Sequence, residues 1–116
     1  FRWSAASTEF LYAGLHTVAS RTGQMIVSQR TLTSSFSSTT NVFNYFTPNT
    51  NVPFNVATRH SSTFLNGAEG GIALTAATPT DMPDLSNSNL ELGFKFMGTI
   101  SKFRVWDEDL GDTGIA

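Results

Sequence analysis

The sequence predicts an all-β fold in a single domain, and three observations carry that prediction. Short β-like runs recur about every ten residues with polar turn residues between them, a spacing that suggests a sandwich or a barrel. Helical periodicity is almost absent. The chain has 116 residues, 40% hydrophobic with ten Phe, only 14% charged, and a net charge of -2. That charged fraction is low against the ~25% of ordinary domains. Ser, Thr and Asn fill the gap, with Ser plus Thr at about a quarter of the chain. Disordered chains carry high net charge and few aromatics. This composition therefore favours a packed core, and the length suits one.

The elements follow in order. Residues 5–15 read either as a short amphipathic helix, capped by Ser4 or Ser7, or as a strand through Phe10-Leu11-Tyr12-Ala13. Strands are predicted near residues 24–28, 42–46, 55–60, 62–65, 71–75, 89–92 and 98–106. Residues 31–40 are nearly all Ser and Thr, broken by Leu32 and Phe36. Their hydroxyls compete for backbone hydrogen bonds and favour extended or irregular chain. Asn66-Gly67 is a strong hairpin signal and predicts a loop over residues 66–70. Residues 78–84 contain Pro79 and Pro83 and predict a long surface connection, because Pro cannot sit in a central strand. In the last strand Thr99, Ser101, Phe103 and Val105 share one face, while Ile100, Lys102, Arg104 and Trp106 share the other. Residues 110–115 predict the start of a short helix.

Several function classes are disfavoured. The balance is slightly acidic with no run of Lys or Arg, which argues against an electrostatic nucleic-acid binder. No apolar stretch approaches the ~18 residues of a membrane-spanning helix, so no membrane insertion is expected. The absence of Cys removes disulfide scaffolds, Cys-based zinc sites and thiol catalysis. No signal-peptide pattern is present. The chain begins at Phe1 rather than Met, which reads as a fragment, a processed chain or part of a longer protein.

Three motifs follow one another over residues 54–116. Val56-Ala57-Thr58-Arg59 and Ser62-Thr63-Phe64-Leu65-Asn66-Gly67 form a valine-alanine … leucine-asparagine-glycine strand pair. Asn89-Leu90-Glu91-Leu92-Gly93 is a leucine-x-leucine-glycine strand. Phe96-Met97-Gly98-Thr99-Ile100 leads through Val105-Trp106 to Leu110, a phenylalanine-x-glycine-x-isoleucine … tryptophan-x-x-x-leucine ending. In this order they resemble the laminin G-like, concanavalin A-like jelly-roll superfamily. The version with such short spacings is common in bacteriophage tail-fibre and other virion proteins. The resemblance implies an antiparallel jelly-roll β-sandwich, a single lectin-like domain over residues 1–116, incomplete at its N-terminal strands. It implies a non-enzymatic virion structural module, from a fibre, spike or decoration protein displayed on the particle surface. The implied partners are other virion subunits, further copies of the chain in a homo-oligomer, and host-surface glycans. An extracellular carbohydrate-binding or adhesion domain of a secreted cellular protein is the alternative. A glycoside hydrolase on the same scaffold is the third reading. The family's capping Ser before the terminal helix is replaced here by Gly111, which still permits a helix start.

Candidate sites follow from chemistry. Asp107-Glu108-Asp109 and Asp112 form the acidic cluster. A glycosidase pair needs carboxyls ~5–5.5 Å apart for retention or ~6.5–9.5 Å for inversion. Here the acids follow the strand instead of alternating along it, which favours a solvated turn with favourable charge near a helix start. No catalytic residue is assigned. Asp81, Asp84 and Asn87, with Asn89, offer oxygens for Ca²⁺, against a simpler role in turns around the two prolines. No other cofactor is assigned. His16 and His60 are too far apart in sequence to suggest zinc. Gly70-Gly71 is too bare for a phosphate loop, and no Ser carries a nucleophile-elbow pattern. For glycans, Tyr45 offers a stacking ring, with Asn44, Asn49 and Asn51 as polar neighbours. Trp3, Tyr12, Phe46 and Phe94 are further rings, against the ordinary use of aromatics in core packing. For Trp106 the resemblance implies a structural role.

Overall fold

The computed structural model describes residues 1–15, 25–32, 37–44, 52–93 and 98–116. The chain pairs first as a hairpin. Strand β1 (Arg2–Ala6) and strand β2 (Glu9–Leu15) are antiparallel, joined through Ser7-Thr8, with a register irregularity between Ser4 and Ala6. This decides the ambiguity over residues 5–15 in favour of strand. Leu11 and Ala13 are buried while Phe10 and Tyr12 are only partly covered, a period of two. The Tyr12 ring lies over Gly14, where a Cβ would stand 2.5 Å from its hydroxyl oxygen and the ring would have to shift.

Strand β3 (Met25–Leu32) supplies much of the buried core. Met25 through Gln29 are all buried, as a strand covered on both faces requires. It pairs with β2 and, over eight residues, with β4 (Ser37–Asn44). The strand predicted at residues 42–46 thus begins at Ser37, inside the Ser/Thr run. The β3 edge supplies a ladder for that backbone, so the hydroxyls do not need to. Together with β8 (Asn89–Glu91) these strands form one sheet in the order β4-β3-β2-β1-β8.

The second antiparallel sheet has the order β5-β6-β7, from β5 (Val56–His60), β6 (Leu65–Glu69) and β7 (Ile72–Ala73). It corrects two expectations. Asn66-Gly67 is not a turn but the buried middle of β6, and the strand predicted at residues 62–65 lies mostly before it. The turn is Gly70-Gly71, between the paired Glu69 and Ile72. Both glycines have positive φ, 56° and 89°, as a two-residue type I′ connection requires. Gly67 serves a close approach instead. A Cβ there would meet Val27 Cγ2 at 2.7 Å and Met25 Cε at 3.0 Å, so at Gly67 β6 packs closely on β3. Around it lies the core of Ala13, Met25, Val27, Val42 and Leu65, with Phe1, Leu74 and Ala77 packed against it.

Residues 98–106 are the main departure. They carry the alternating pattern of a strand, yet they join neither sheet. Alternation selects a face but does not make a ladder, and β1 already has β2 on one side and β8 on the other. Every residue from Gly98 to Asp109 is exposed. The predicted terminal helix is present as α1 (Gly111–Ile115). Leu110 occupies its N-cap without a side-chain cap. Gly111 has φ +70°, a left-handed conformation that explains why no Ser stands there.

Candidate interaction surface

The acidic cluster is organised by one cation that the sequence did not single out. Arg59, on β5, donates from Nε to Asp109 Oδ1 at 2.6 Å and from Nη2 to Asp109 Oδ2 at 2.7 Å. Its Nη1 donates to Asp112 Oδ1 at 2.6 Å. Its guanidinium carbon lies 4.0 Å from the centre of the Phe64 ring. The fully buried Asn66 donates from Nδ2 to Asp112 Oδ1 and to the Leu74 carbonyl, both at 3.1 Å. The Arg59 hydrogen bonds, and then the Gly111 N–H, hold the Asp109 carboxyl below its usual range. A carboxylate kept ionised in this way is a poor proton donor. Asp109 and Asp112 tie the terminal helix to β5, in keeping with the turn reading of the cluster.

A second polar junction joins the sheets to the proline-rich connection. Gln29 is fully buried on β3. Its Nε2 donates to the Ser61 carbonyl at 2.8 Å and the Asp81 carbonyl at 2.7 Å. Its Oε1 faces His60 Nδ1 at 3.4 Å. With Nε2 committed to two carbonyls, Oε1 must accept, so the His60 proton sits on Nδ1. His60 Nε2 is buried and has no partner among the described residues. Burial pushes the His60 pKa down to about 4. Thr31 Oγ1 donates to the Met82 carbonyl at 3.3 Å, and the Ser38 and Thr80 hydroxyls meet at 2.7 Å. These bonds dock residues 78–84 on the first sheet and bury Pro79 and Pro83. The connection runs over the surface as expected, but anchored. The sequence signal for Gln29 was there to read: a long polar side chain directly after Met25-Ile26-Val27-Ser28.

The candidate ligand residues fall in different places. Tyr45, Asn49 and Asn51 lie outside the described residues, as do Phe46, Phe94 and His16. Asn44 ends β4 opposite Met25, with its side chain outside the described set. Among the calcium candidates, Asp81 Oδ1 accepts the Met82 N–H at 2.8 Å and Asp84 Oδ1 accepts the Ser86 N–H at 2.9 Å. Asn87 sits at φ +56°. All three serve turns, and among the described residues no group of three or more His, Asp or Glu is gathered for a metal. Trp3 donates from Nε1 to Ser88 Oγ at 2.6 Å, tying β1 to the chain entering β8.

What remains is the segment 98–106. Ile100 is 45% exposed, Phe103 39%, Val105 61% and Trp106 52%. Among the described residues no backbone–backbone hydrogen bond involves Gly98 to Asp109. Lys102 and Arg104 have no ion-pair partner there either. The one ring contact is Phe103 edge-on to Phe1 at 6.0 Å, and Phe1 in turn meets His60 at 6.1 Å. Backbone and two cations without partners among the described residues, together with exposed apolar side chains, make a surface that can accept a β-strand.

The geometry defines a mostly β protein of two antiparallel sheets, with residues 98–106 outside both. Comparisons with protein-family models, with curated proteins and with solved structures found no match. No helix among the described residues is long and apolar enough to cross a membrane.

Proposed function

We propose that the protein is a non-enzymatic architectural module, a jelly roll built into a larger assembly by strand addition along residues 99–106. The resemblance to laminin G-like virion domains supplies the setting, the surface of a particle. The observation that carries the reading is the exposed set Ile100, Phe103, Val105 and Trp106, on a backbone with no ladder partner among the described residues. Large apolar side chains contiguous in one segment mark interaction sites in folded proteins. The Arg59 clamp on Asp109 and Asp112 supports the non-enzymatic part, because it engages two of the four acids of the cluster.

Hydrogen exchange tests the reading. In the isolated protein the amides of residues 99–106 exchange at the rate of unprotected chain. In the native assembly they become protected by at least about a hundredfold, as ladder amides do. Equal, fast exchange in both states overturns the proposal. So does release of reducing sugar from β-glucans by the purified chain.

A further inference from the structure

We infer that the strand added to this segment comes from a second copy of this chain, residues 102–108 of each copy pairing antiparallel about a two-fold axis at Val105. The inference rests on the assembly reading above and names its partner. Charge selects the partner. Lys102, Arg104, Asp107 and Glu108 are all exposed, and none has an ion-pair partner among the described residues. The segment is thus basic in its middle and acidic at its foot.

An antiparallel pair about a two-fold axis is isologous, so the residue n positions before the axis faces the residue n positions after it. The alternating faces match only when the axis falls on a residue. An axis at Phe103 sets Lys102 against Arg104. An axis at Lys102 or Arg104 sets that cation against its own copy. Like charges directly opposite destabilise a strand pair. An axis at Ile100 or Ser101 leaves both cations without an anion. An axis at Trp106 sets Phe103 against Asp109, which Arg59 holds, and Lys102 against Leu110, which caps α1. The axis at Val105 sets Lys102 against Glu108 and Arg104 against the Trp106 ring, an arrangement suited to cation–π contact. It sets Phe103 against Asp107 and Val105 against itself. Both copies gain both contacts, so the basic middle of each meets the acidic foot of the other. The chain bends at Asp107-Glu108 in the single copy, and these two positions extend as the pair forms.

Because the chain has no Cys, one introduced thiol reports the register. Directly opposed residues lie ~4.5–5.5 Å apart at Cα, within reach of a disulfide. Val105→Cys is expected to oxidise to a covalent dimer, while Thr99→Cys stays monomeric. In sedimentation equilibrium, Lys102→Glu and Glu108→Lys each weaken the wild-type dimer by about tenfold, since each lesion is repeated by symmetry. The double variant Lys102→Glu/Glu108→Lys returns to within about threefold of wild type. All these positions are exposed, so melting temperatures measured at concentrations where the chain is monomeric should not move. A wild-type chain monomeric at every concentration, a Val105→Cys chain that does not cross-link, or a double variant no better than the singles overturns the self-pairing. If residues 99–106 still gain protection in the native assembly, only the identity of the partner falls. If they gain none, the assembly reading falls with it.

Discussion

Gln29 and His60 face each other where the two sheets meet, Oε1 to Nδ1 at 3.4 Å, one on β3 and the other on β5. Gln29 spends both its N–H bonds elsewhere, on Ser61 and Asp81. His60 therefore supplies a proton from Nδ1 and keeps a bare, buried Nε2. The junction is built for a neutral imidazole, and protonation would place an uncompensated charge between the sheets.

Stability should therefore fall on mild acidification. The folded pKa of His60 is lowered by burial from 6.5 to about 4. Its contribution is complete above pH 6.5 and is lost as the pH falls from there towards 4. The full loss is roughly 3 kcal/mol. Melting temperatures between pH 7.5 and 4 measure it. His60→Gln keeps a donor for Gln29 but cannot titrate, so its profile should be flatter. The same slope in that variant would remove His60 as the cause. Loss of the Arg59–Asp109 clamp belongs at lower pH, because that carboxyl sits below its usual range.

Gln29→Leu should destabilise by about 2–4 kcal/mol, since it leaves the Ser61 and Asp81 carbonyls without their donor. A denaturant midpoint shifted at unchanged m-value is the readout. Residues 78–84 should also become an early cleavage site in limited proteolysis. A variant as stable as wild type would mean that the connection is held by Thr31 and Ser38 alone.

Gly67→Ala should cost about 1–3 kcal/mol by overpacking. The new methyl meets Val27 Cγ2 at 2.7 Å and Met25 Cε at 3.0 Å. Val27→Ala removes the nearer obstacle, so the double variant should be more stable than the sum of the singles predicts. Strict additivity would show that the sheets separate instead of repacking.

Gly111→Ser restores the cap residue of the resembling family, yet it should lower stability by ~1–2 kcal/mol. The residue sits at φ +70°, where any Cβ is strained. Asp109 Oδ1 already accepts the Gly111 N–H at 3.0 Å, so a serine hydroxyl has little to add. A gain in melting temperature would show that the left-handed turn is not required.

Much of the fold was legible because period-two burial is a local property. The buried run from Met25 can be read in a window of a few residues, whereas Phe10-Leu11-Tyr12-Ala13, apolar throughout, left helix and strand open until β2 paired with β1 and β3. Turn placement was less legible. Asn66-Gly67 and Gly70-Gly71 are both good turn sequences. Val27 and Met25, some forty residues away in sequence, claim Gly67 for the interior and leave Gly70-Gly71 to turn. The candidate site divides in the same way. The four acids stood out as a cluster, but their role depends on Arg59, some fifty residues before Asp109. Charge alone gave no reason to choose that cation over Arg30 or Arg104.

The sequence by itself determined the β class, the extended character of most segments, the short terminal helix and the lack of any thiol chemistry. Each follows from composition or from the reach of a few residues along the chain. Tertiary structure decided which alternating segments became strands. Residues 37–44 found a ladder on β3, while residues 98–106, with the stronger apolar pattern, found none. A strand is completed by its neighbour's backbone, and the position of that neighbour is set by packing across the whole chain.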